Sequence, residues 1–131
     1  MLTGKFHTPD EVSEGRARTR HFSSARPQTR HGEPGCERET FAAIAHIRSM
    51  SERLQVPMAE LSLAWCLHQP GVTAVIAGAR SPAQVRENAA GAERRIEPEV
   101  LAELDAATAA VKSALGPNID AWMPADRARS R

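Results

Sequence analysis

Apolar residues recur at helical spacing in three parts of the chain and run together in a fourth. Phe41, Ile44, Ile47, Met50 and Leu54 return every three or four residues with charges between them, which predicts a helix over residues 40–54. Gln55 and Val56 lead to Pro57, a suitable first residue for a second helix. In that helix Leu61, Leu63, Ala64, Trp65, Cys66 and Leu67 leave almost no polar face, the pattern of a helix buried between neighbours. His68 falls near its C-terminus, where the helix dipole favours positive charge, and Gln69-Pro70-Gly71 ends it. A last helix opens at Ile96-Glu97-Pro98. It carries a stripe of Leu101, Leu104, Val111 and Leu115 and stops at Gly116-Pro117.

Between these helices lies the stretch from Gly71 to Gly91. Val72, Ala74, Val75, Ile76 and Ala77 form a nearly continuous apolar run rich in β-branched residues. A half-exposed strand would alternate, so this run predicts a strand covered on both faces, as in a parallel sheet. Gly78 breaks the run at a sharp turn. Ser81 has the chemistry of a helix N-cap, Pro82 fits the first helical position, and Gln84 completes a capping-box pattern. A helix N-terminus presents unpaired N–H groups and partial positive charge and so attracts phosphates. Arg80 adds a guanidinium fork beside it, and Glu87 and Asn88 follow within two turns. The plainer alternative is a simple cap with a solvated arginine, because Ser-Pro-x-Gln openings are common.

Residues 7–39 are polar, with few large apolar residues beyond Val12 and Phe22, and prolines and glycines interrupt any period. They predict a long loop. Six arginines in it (Arg16, Arg18, Arg20, Arg26, Arg30 and Arg38) are offset by six acids between Asp10 and Glu39. Over the whole chain 17 Lys and Arg balance 16 Asp and Glu. That balance gives no overall attraction to nucleic acid or an anionic membrane. No apolar stretch reaches membrane-spanning length, the opening lacks a signal peptide's apolar core, and Cys36 and Cys66 have no metal-type spacing. The expected setting is a reduced cytoplasm. His7, His21 and His31 fall in the polar loop and His46 on a helix; each reads as a solvated or boundary residue rather than a metal ligand.

The run Val56 to Asn88, Val-Pro-Met-Ala-Glu-Leu-Ser-Leu-Ala-Trp-Cys-Leu-His-Gln-Pro-Gly-Val-Thr-Ala-Val-Ile-Ala-Gly-Ala-Arg-Ser-Pro-Ala-Gln-Val-Arg-Glu-Asn, resembles the C-terminal part of aldo-keto reductases. Leu2-Thr3-Gly4-Lys5-Phe6 is similar to the family's segment after barrel strand seven, and Leu101 to Asp105 to its late helix. The resemblance implies an α/β chain: a C-terminal fragment of a (β/α)8 TIM barrel, mostly helical with one or two parallel strands. A complete barrel takes about 250 residues, against 131 here. It implies a partial reductase domain over residues 1–122, including the loop at 7–39, and a flexible tail at 123–131. It also implies NADPH as cofactor, held by Lys5, Arg16, Gly78, Arg80, Gln84, Glu87 and Asn88, with Arg18 a competitor for the role of Arg16. The choice of NADPH over NADH leans on Arg80. In the family a tyrosine donates the proton that accompanies hydride transfer to a carbonyl, and this chain contains no tyrosine. The expectation is therefore a cofactor-binding part that is inactive alone, the alternative being a non-catalytic NADP-binding or self-associating module that closes an exposed barrel edge with its own copy.

Overall fold

The computed structural model describes residues 2–127. Four helices carry the regular structure: α1 over Glu37–Leu54, α2 over Met58–Leu67, α3 over Pro82–Glu93 and α4 over Pro98–Leu115. Single 3-10 turns lie at Pro9–Glu11 and Ala125–Arg127. Among the described residues there is no strand. The chain forms two compact units, one of residues 2–5 with His46–Ala107, the other of Phe6–Ala45 with 108–127.

In the first unit α2 provides the centre. Met58, Leu61, Ala64 and Trp65 are buried, while Leu63, Cys66 and Leu67 are partly exposed. Cys66 is thus a boundary residue and not the enclosed thiol its apolar neighbours predict. α3 lies close against α2 at Gly91, where a Cβ would come within 3.1 Å of the Glu60 carbonyl oxygen and of the Leu63 Cβ. Arg94, just after α3, pairs with the buried carboxylate of Glu60. α4 contributes the fully buried Leu104, and its Asp105 accepts from the Trp65 indole N–H at 3.0 Å. α1 ends without a glycine: Gln55 takes a left-handed φ of 54°, and Val56 N–H donates to Ser51 O as Gln55 N–H donates to Glu52 O. These two bonds satisfy the last carbonyls of the helix in the Schellman pattern.

The second unit holds the polar segment. That segment has almost no regular structure, as its composition predicts, yet it is packed: Val12, Ala17 and Phe22 are buried, and so is His31, which corrects its reading as a solvated or boundary residue. The organising residue is Arg20, 5% exposed. Its Nε donates to both carboxylate oxygens of Glu33 at 2.8 Å, and its terminal nitrogens donate to the carbonyls of Leu115, Asn118 and Asp120. A buried guanidinium is tolerated because its charge is paired and its donors are used. Arg26 makes a bidentate pair with Glu37 and lies over the Phe22 ring at 5.2 Å. The hydrogen bonds from Arg26 hold the Glu37 carboxyl below its ordinary range. Gly35, at φ +78°, sits so near the Phe22 backbone that a Cβ would fall 2.4 Å from its carbonyl carbon. Glycine alone satisfies both requirements at that turn. α4 stops at Gly116, φ +64°, as its sequence predicts. Residues 128–131 of the tail expected at 123–131 lie outside the described residues.

The expected buried strand is not formed. Residues 72–79 carry no helix, turn or strand and have no ladder partners, Val72 is 39% exposed and Ile76 wholly exposed. Val72 N–H donates to Gln69 O, and no backbone hydrogen bond joins residues 73–77 to any other described residue. A parallel strand needs neighbours on its edges and helices on its faces. Among the described residues no strand lies beside the run, and its side chains are mostly exposed.

Candidate functional site

The turn after the extended run is tied to the helix that follows it. Ser81 is the N-cap of α3, with an extended backbone, and its Oγ accepts from the Gln84 N–H at 3.3 Å. Gln84 reaches back, but one residue further than a capping box requires: its Oε1 accepts from the Arg80 N–H at 2.7 Å. Asn88, a turn further on, donates from Nδ2 to the Gly78 carbonyl at 3.3 Å. The two side chains thus tie residues 78–80 to the start of α3. Gly78, Arg80, Ser81, Gln84 and Glu87 are exposed, and Asn88 is half-buried. The arrangement is a solvent-facing helix N-terminus with one guanidinium-bearing residue at its lip. It suits an oxyanion.

Five of the seven residues singled out from sequence, Gly78, Arg80, Gln84, Glu87 and Asn88, are therefore neighbours on one turn and one helix. Lys5 belongs to the same compact unit and is exposed, following Gly4, whose carbonyl accepts from Arg48 at 3.1 Å. Arg16 belongs to the other unit, exposed, its own N–H donating to Ser13 O. What the sequence reading passed over is a cavity of about 310 Å³ in the second unit, lined by Arg18, Gln28, Arg30, Trp122 and Met123. A lone tryptophan in a polar tail was its one visible sign. Among the described residues no group of three or more His, Cys, Asp or Glu is arranged to hold a metal ion, and no helix is long and apolar enough to cross a membrane.

The model of the aldo/keto reductase family matches residues 1–109, so the chain belongs to that family, whose fold is the (β/α)8 barrel. Among curated relatives, a putative voltage-gated potassium channel subunit beta from Schizosaccharomyces pombe is 31% identical over 107 residues, 80% of this chain and 30% of that protein. A probable voltage-gated potassium channel subunit beta from Arabidopsis thaliana is 25% identical over 88 residues, 67% of this chain and 25% of that protein. The matched region thus covers less than a third of either relative's length.

Proposed function

We propose that this chain supplies the adenosine-phosphate side of a nicotinamide dinucleotide site, with NADPH preferred, and does not reduce carbonyls by itself. The observation that carries the reading is the bonded turn from Gly78 to Asn88 at the open start of α3. There the Arg80 guanidinium is free to fork onto a ribose phosphate beside the positive end of the helix, and the Asn88 amide oxygen and the Glu87 carboxylate are acceptors for adenine or ribose donors. Lys5, in the same unit, would add a positive charge toward the pyrophosphate. When bound, the cofactor supplies a hydride. The accompanying proton has no tyrosine donor in this sequence.

Isothermal titration of the chain with NADPH and with NADH tests this. Weak binding of NADPH, weaker NADH, and about tenfold loss in Arg80→Ala are expected. Binding that is absent, or unchanged by the substitution, rejects it. Aldehyde reduction should stay at background; clear turnover would overturn the inactive reading.

The bare run Val72–Ala77 favours a companion reading, that the chain is the C-terminal portion of a barrel whose remaining strands would pair with it, or a module that closes the exposed edge with its own copy. The small share of each relative that is matched supports the first. Intact mass of the native protein distinguishes a longer polypeptide from a chain of this length. Light scattering with Ile76→Lys tests the second: a defined oligomer that the substitution dissolves supports it, and a monomer rejects it.

A further inference from the structure

The cavity in the second unit has a chemistry of its own. Arg18 and Arg30 line it together with Gln28, Trp122 and Met123, and no acidic residue is among them. Elsewhere in this unit Arg20 has Glu33, Arg26 has Glu37 and Arg38 has Glu39. Among the described residues neither Arg18 nor Arg30 has a carboxylate partner. Arg18 lies over the Trp122 ring at 5.6 Å, and its Nε is buried without an acceptor. A buried, unanswered donor on a charged group is costly, and an anion beside it is one arrangement that completes it. Gln28, also on the wall, holds φ +65°, a strained conformation for a side-chain-bearing residue of the kind that collects at binding sites. The volume is at the lower end of the range for small-ligand pockets.

We infer that this cavity binds a small carboxylate with a flat apolar body. The two guanidiniums take the carboxylate, and Trp122 and Met123 receive the body. Planar forks match a carboxylate bidentately. An indole and a thioether give an apolar wall that adapts to its occupant. The site lies wholly within the second unit and does not depend on the nucleotide reading, which rests on the first.

Benzoate is the probe, titrated into the full chain while the indole N–H resonance of Trp122 and the arginine Nε–H resonances are followed by NMR. Benzamide, which lacks the charge, and inorganic phosphate, which lacks the apolar body, are the controls. Saturable shifts at about 1 mM or below are expected for benzoate, with much weaker responses to both controls. Arg30→Gln, at an exposed position that leaves the fold intact, should weaken binding roughly tenfold, and Arg18→Lys, which keeps the charge but loses the fork, by a similar factor. Circular dichroism of each variant confirms an unchanged helix content. Benzoate shifts that do not saturate, equal responses to benzamide or phosphate, or unaltered affinity in Arg30→Gln would each overturn the inference.

Discussion

Residues 7–36 and residues 71–80 both lack helix and strand over nearly all their length, and their burial is the reverse of their polarity. The first is rich in charge and interrupted by proline and glycine, yet encloses Phe22 and Arg20. The second is apolar and β-branched, yet leaves Ile76 in solvent. Hydrophobicity alone therefore does not decide what is inside. A polar segment can be enclosed when its charges find partners and its carbonyls find donors, as around Arg20. An extended apolar segment has no internal use for its backbone groups and stays outside until another strand or face accepts it.

Four substitutions test this contrast. The largest effect belongs to Arg20→Met, which removes the shared donors and leaves Glu33 and three carbonyls facing an apolar side chain. A loss of about 3–5 kcal/mol is expected from urea unfolding; a change below about 1 kcal/mol would mean that the segment is held some other way. Gly35→Ala follows, because its Cβ would meet Phe22 backbone at 2.4 Å in a left-handed conformation. About 3 kcal/mol is expected, with the same readout.

The third is a pH effect. Burial foremost, and then the Arg20 charge, lower the His21 pKa from its ordinary 6.5. Because the unfolded chain takes up the proton first, the contribution is complete above 6.5, declines as pH falls below it, and is gone beneath the depressed folded value. The slope from this residue cannot exceed about 1.4 kcal/mol per pH unit. Replacing it, as in His21→Asn, should flatten the stability profile below pH 6.5. An unchanged slope would show that His21 is not enclosed. Smallest of all is Ile76→Lys, expected to change stability by less than about 0.5 kcal/mol, because the side chain gives up no burial. A loss above 1 kcal/mol would place the run in a packed environment and end the contrast.

The helices were legible for a local reason. Phe41 to Leu54, Leu101 to Leu115, the cap at Ser81 and the stop at Gly116 all act within a few residues, and the structure carries a helix or a helix end at each. The helix α1 begins at Glu37, three residues before the predicted start at residue 40, because Glu37 is held there by Arg26. The turn that positions Arg80 was legible only in part. Ser81 announced the cap, but the reach of Gln84 to the Arg80 N–H and of Asn88 to Gly78 appears only once the loop is folded back.

The strand shows where sequence reasoning ended. Its β-branched run expresses a preference for a pleated, half-buried place in a sheet, whereas pairing and burial are properties of neighbours that the described residues do not supply there. Arg20 shows the converse. Nothing in the sequence separates it from Arg16, Arg18 or Arg30, and its carbonyl partners lie 95 to 100 residues further along the chain. The amino-acid sequence by itself determined the helices, their caps and the family, because those depend on periods and on motifs read within short windows. The tertiary structure alone decided which arginine is enclosed, which is left facing a cavity and which apolar run stays bare, because burial depends on what the rest of the chain brings within hydrogen-bonding and packing distance.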